Sequence, residues 1–166
     1  MKVFYAGDER RKKEIVDAIA LYNGQEKIEI VDNRLDSEAT LSESTVLTVA
    51  ANEHYAEKIH SEKDTEELVL DVLRFFERTI AVNKRMCKLT TTLSLWSPRG
   101  IELKKTEQAT EYFLMETPWD KEYTGYDLDT ILFKKEINRT VSSMDEKQRL
   151  VYSPRAKAIK ELLQTL

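Results

Sequence analysis

The chain has 166 residues, 41% of them hydrophobic and 34% charged, with a formal charge of −4 and one cysteine, Cys87. That size and balance predict a single domain over 1–166 with a buried core, and the acid excess excludes a general nucleic-acid binder, which needs surplus Lys and Arg to displace counterions. One cysteine allows neither an internal disulfide nor a thiolate zinc cluster, and Cys87 reads as a small core residue of a reducing compartment. The short apolar run before the charges of GDERRKK is too brief for a signal peptide or a membrane span, so the expectation is a cytoplasmic protein with no membrane partner.

Residues 2–6 (KVFYA) predict a short buried strand. Gly7-Asp8 then turns the chain into a helix over 9–22, whose apolar face is Ile15, Ala18, Ile19 and Tyr22 and whose end is marked by Asn23-Gly24. Strands follow at 27–31 (KIEIV) and 45–49 (TVLTV), separated by a polar loop over 32–44. This alternation of strand and helix points to an α/β sheet with parallel neighbours. Residues 50–60 read as a helix carrying Glu53, His54 and Lys58. The clearest amphipathic helix runs over 64–78, with Leu68, Val69, Val72, Leu73, Phe75 and Phe76 on its apolar face. From 88 onward the chain turns β-rich: KLTTTLSLW, a Ser97-Pro98-Arg99-Gly100 turn, Ile101-Glu102-Leu103, a further strand over 110–116, and an apolar run at Ile131-Leu132-Phe133.

Two places suit an anion. At the first, the strand–glycine–helix start places Asp8 and Arg11 where loop amides can meet phosphate oxygens, although no G-x-x-x-x-G-K-[ST] string occurs. At the second, Ser153-Pro154-Arg155 opens the last helix, with Ser153 as N-cap, Pro154 as first helical residue and Arg149 just upstream. A capped surface helix with solvated arginines is the plain alternative.

The order of these motifs resembles the inosine triphosphate pyrophosphatase family. That family opens with a strand and T-G-N-x-x-K-x-x-E, matched here by Gly7 through Glu14 with Asp8 for asparagine and Arg11 for lysine. Its R-x-A-x-F looks like Arg85-Met86-Cys87-Lys88-Leu89, and its G-F-G-Y-D-P-I-F is similar to Gly125-Tyr126-Asp127-Leu128-Asp129-Thr130-Ile131-Leu132. The later threonine, lysine and S-H-R-G-x-A fall on Thr140, Arg149 and Ser153-Pro154-Arg155-Ala156-Lys157-Ala158. The middle departs. The E-N-A-x-x-K-A helix survives at most as Glu53, Lys58 and Ile59, and the carboxylate-bearing D-D-S-G-L string is absent.

The resemblance implies a mixed α/β fold with an elongated sheet, parallel at the N-terminal strands and antiparallel in the second half, in two lobes around a cleft. It also implies hydrolysis of non-standard purine nucleoside triphosphates, such as inosine or xanthosine triphosphate, to the monophosphate and pyrophosphate. The alternative is a catalytically impaired relative that binds nucleotide or serves in assembly. Gly7, Asp8, Arg11, Tyr126, Asp129, Arg149, Ser153 and Arg155 are the expected substrate-binding residues, and Glu53 and Glu14 the expected catalytic carboxylates. Glu53 would hold Mg2+, and the family's habit implies a homodimer. Arg11, Arg149 and Arg155 are expected to meet, since only a polyanion would require three cations so distant in sequence.

Overall fold

The computed structural model describes residues 1–24, 27–59, 64–79, 84–119 and 128–166. In chain order the elements are β1 (Lys2–Tyr5), α1 (Glu9–Tyr22), β2 (Glu29–Val31), β3 (Ala39–Val49), β4 (Asn52–Ile59), α2 (Thr65–Thr79), β5 (Met86–Trp96), β6 (Glu102–Leu114), β7 (Leu132–Lys134), β8 (Arg139–Thr140), α3 (Glu146–Tyr152) and α4 (Pro154–Thr165). They form a mixed α/β fold whose sheet runs β2-β1-β3-β5-β6-β7-β8, with β4 paired to β3. β1 is parallel to both β2 and β3, while β4 on β3, β7 on β6 and β8 on β7 are antiparallel. The expected switch from parallel to antiparallel pairing is therefore present.

The chain divides into two compact units. The first comprises 1–44, 91–108 and 150–166. Here Asp8 caps α1 by accepting from the Arg10 amide, and α1 packs against α4. Ile15, Ala18 and Ile19 of α1 join Ile159, Leu162 and Leu163 of α4 and Val3, Leu41, Leu93 and Leu95 of the strands in one buried cluster. The second unit comprises 45–90 and 109–149. In it α2 lays Leu68, Val69, Val72 and Phe76 onto Leu47, Val49, Leu114 and Leu132. Cys87 lies in this core, 3% exposed, and burial pushes its thiol up to about 12.

Two sequence expectations need correction. Residues 50–60 do not form a helix: Ala50-Ala51 is a two-residue turn, and β4 returns along β3 with Val49 opposite Asn52 and Thr45 opposite Ile59. Pairing with β3 decides this, and on the strand Ile59 is buried while Tyr55 stacks on Phe75 with ring centroids 4.1 Å apart. Glu53 thus stands on a strand, and the proposed match to the E-N-A-x-x-K-A helix is lost. The strands expected at 101–103 and 110–116 likewise merge into one long strand, β6 (Glu102–Leu114), joined to β5 by a hairpin turn in which Gly100 adopts φ 76°. Only glycine takes that conformation without strain. Among the described residues no helix is long and apolar enough to cross a membrane.

Candidate functional site

In the first unit, a polar cluster interrupts the apolar packing between α1 and α4. Arg11 and Glu14 lie three residues apart on α1, so they share a face, and both are buried. Ser153 caps α4 by accepting from the Ala156 amide at 3.2 Å, with Pro154 at the first helical position, as the sequence implied. Arg155 comes next, and its guanidinium joins two carboxylates. One terminal nitrogen donates to Glu14 Oε2 at 2.9 Å, while Nε and the other donate to Glu43 Oε1 at 2.9 and 2.7 Å. Ser153 Oγ also donates to Glu14 Oε1. The Tyr5 hydroxyl, at the end of β1, donates to Glu43 Oε2 at 2.6 Å.

Burial makes these bonds consequential, because a charge removed from water must be matched locally. The side chains of Glu43, Arg155 and Glu14 are 2%, 6% and 8% exposed. For Glu43, burial pushes the carboxyl up, but the field and hydrogen bonds of Arg155, the Tyr5 hydroxyl and the field of Arg11 outweigh it and hold the group below the ordinary glutamate value. Burial and the neighbouring Glu43 charge push the Tyr5 hydroxyl up, so it stays a donor. Two carboxylates against two guanidinium groups leave the cluster close to neutral.

The expected site residues divide as follows. Glu14, Ser153 and Arg155 are brought into direct contact, and Arg11 acts on the same Glu43 and Tyr5 groups through its charge. Gly7 lies against Tyr5. Asp8 caps α1 and is paired with Arg10 at 2.5 Å, a hydrogen bond that holds its carboxyl below the ordinary range. Arg149 and Asp129 both belong to the second unit, where they form an ion pair, and the Asp129 carbonyl accepts from the Ser142 amide at 3.0 Å. Tyr126 and the Glu53 side chain lie outside the described residues.

Glu43 and Tyr5 were missed by the sequence reading. The signal for Glu43 was present: Ala39, Leu41, Thr45, Leu47 and Val49 of β3 form a buried row at alternate positions, and Glu43 is the charged member of that row. Starting the strand at 45 hid it inside a polar loop.

The magnesium ion implied by the resemblance is usually held by one or two carboxylates together with waters and substrate phosphates. Among the described residues no group of three His, Cys, Asp or Glu side chains assembles, and Glu14 and Glu43 enclose Arg155 instead.

The fold defines the class first: a mixed sheet opened by a strand and helix and closed by a capped helix that returns against α1. Three solved structures share it. A HAM1 protein from Coxiella burnetii superposes with a TM-score of 0.72 at 16% identity, covering 99% of this chain and 98% of its own. The Ham1 protein of Staphylococcus aureus gives 0.71 at 13%, covering 99% and 97%. A nucleoside-triphosphatase, also titled dITP/XTP pyrophosphatase, from Mycobacterium abscessus gives 0.61 at 17%, covering 99% of each. No curated protein matches the sequence. The sequence pattern of the Ham1 family matches residues 48–165, and the chain belongs to that family. The resemblance to inosine triphosphate pyrophosphatases drawn from the motifs is thereby borne out.

Proposed function

We propose that the protein is a nucleoside triphosphate pyrophosphatase that cleaves non-standard purine triphosphates between the first and second phosphates. Membership of the Ham1 family supports the reaction class, and the name dITP/XTP pyrophosphatase borne by the Mycobacterium abscessus relative supports the choice of inosine-type or xanthosine triphosphates. The observation that carries the reading for this chain is the buried meeting of Arg155 with Glu14 and Glu43 where α4 begins, beside Arg11 of α1.

In the hydrolysis, a water oxygen bonds to the first phosphorus, the bond from that phosphorus to the bridging oxygen breaks, and pyrophosphate leaves. The water proton needs an acceptor. We assign that role to Glu43, the buried carboxylate beside Arg155, and it takes the part that the missing D-D-S-G-L string plays in the resemblance. Arg11 and Arg155 balance charge at the same place, and the Gly7 loop and Ser153 line the helix starts. Glu14, Glu53, Asp8, Tyr126, Asp129 and Arg149 keep their proposed roles as residues to be substituted in the same assay.

The test is a panel of nucleoside triphosphates, with and without Mg2+, assayed for monophosphate and pyrophosphate together. Absence of both products for every nucleotide sinks the reading. Glu43→Gln should lose turnover by about a hundredfold or more, the usual worth of a positioned proton acceptor, while keeping nucleotide binding. Sedimentation of the purified protein tests the proposed homodimer.

One observation favours the second reading, a relative that binds nucleotide without cleaving it. Arg155 is already committed to Glu14 and Glu43, so a phosphate must compete with two buried carboxylates for it. Nucleotide binding by the parent protein with no product formed would select that reading.

A further inference from the structure

We propose that Tyr5 is a positioning residue, which fixes the carboxylate of Glu43 through its hydroxyl, and that Gly7 is the residue that leaves room for it. The proposal rests on the reading of Glu43 as the working carboxylate.

Donors meet Glu43 at both oxygens. Arg155 supplies two of them to Oε1, at 2.9 and 2.7 Å, and the Tyr5 hydroxyl supplies another to Oε2 at 2.6 Å. Arg155 bonds Oε1, and the Tyr5 hydroxyl holds the other oxygen, Oε2, in place. Tyr5 is itself held, being 2% exposed at the end of β1. Its ring also lies hard against the turn that follows. A Cβ at position 7 would fall 2.1 Å from the Tyr5 hydroxyl oxygen and 2.2 Å from the ring carbon that bears it, so a larger residue there must displace the hydroxyl that Glu43 accepts from, or the turn itself.

The charged and titratable groups facing Glu43 are Arg155 from α4, Arg11 from α1 and Tyr5 from β1, with Glu14 sharing Arg155. Tyr5 is the neutral donor of the set. Its removal therefore subtracts a hydrogen bond and leaves the charge balance of the cluster intact, which makes Tyr5→Phe a clean probe. A tyrosine serving only to fill the core would make the same ring contacts as phenylalanine, and the exchange would then be silent at Glu43.

The test uses two readouts on the full chain. One is the pH profile of pyrophosphate release, and the other is the titration of glutamate side-chain carboxyls by 13C NMR, with Glu43 assigned through Glu43→Gln. Tyr5→Phe should keep the far-ultraviolet circular dichroism of the parent, lower kcat by about tenfold with KM little changed, and move both the acid limb and the Glu43 titration upward in pH. Gly7→Ala should reproduce these changes, and the double variant should add nothing to either single one, as for two steps of one linkage. Unchanged titration of Glu43 in a folded Tyr5→Phe variant overturns the proposal. Gly7→Ala is not required to fold, because Tyr5→Phe decides alone. The NMR titration needs no turnover, so an inactive parent protein would defeat the pyrophosphatase reading and leave this test standing.

Discussion

Each unit of the chain buries an arginine, and the two are treated very differently. Arg155, in the first unit, meets Glu14 and Glu43. Arg85, in the second, is also 5% exposed, yet its contacts among the described residues are the Met115 carbonyl at 3.5 Å and the Phe76 ring at 5.9 Å, and its Nε meets no acceptor. A guanidinium loses several kcal/mol of hydration on burial, so a matched one and one without a carboxylate among the described residues should respond to removal by very different amounts. Burial alone thus says little about what a charged residue contributes; its partners decide how much.

The largest effect expected from this contrast is at Arg155. Arg155→Met strands two buried carboxylates, and loss of one member of such a pair typically destabilises by about 3–5 kcal/mol. Urea unfolding should show this as a large fall in midpoint. A drop under about 1 kcal/mol would mean that Glu14 and Glu43 are already protonated or solvated, and the cluster would lose its meaning as a charge-matched site.

Ser153→Ala comes next. Its hydroxyl oxygen caps α4 and its proton goes to Glu14, so the exchange removes a cap worth about 1 kcal/mol and a partner of a buried carboxylate, for a total of about 1–2 kcal/mol. Ser153→Thr should restore most of it, which a merely tight-packing role for the serine would not allow.

Acid should act on the first unit through Glu43. Its carboxyl titrates below the ordinary value of 4.5 in the folded chain, so the stabilisation that this group contributes is complete above that value and is lost as pH falls through the lower folded one. The midpoint of urea unfolding should therefore fall as pH drops below 4.5, and the slope should be shallower in Glu43→Gln. Equal slopes would assign the acid sensitivity to other carboxylates, such as Asp8, which Arg10 also holds below the ordinary range.

How much of this was legible in the sequence depended on where the information lay. The helix predicted over 9–22 is observed as Glu9–Tyr22, because its cap, apolar period and Asn-Gly ending are all local. Ser153 and Pro154 likewise announced their roles by position. The strand over 52–59 was missed because its pattern of Tyr55, Glu57 and Ile59 is read against β3 and α2, and helix and strand templates fit so short a stretch about equally. Glu43 was missed through strand length: β3 begins at Ala39, and only with 39 and 41 included does the charge stand in the buried row. Asp129 and Arg149 were both named from motif spacing, but their ion pair with each other is a contact no spacing rule contains.

The smallest effect, and the sharpest break with Arg155, is expected at Arg85. Arg85→Met removes a weak 3.5 Å hydrogen bond and a distant ring contact, but it also removes the penalty of burying a cation whose Nε has no acceptor, and methionine's flexible chain can fill much of the vacated volume. These terms oppose each other, so the urea midpoint should correspond to a change within about 1 kcal/mol of the parent, in either direction. Lysine tells the two contributions apart: Arg85→Lys keeps the charge while losing the planar fork that reaches Met115 and lies over Phe76, and it should be less stable than the methionine variant. If instead Arg85→Met loses as much as Arg155→Met, Arg85 has an anionic partner in solution, and the two units treat their buried arginines alike.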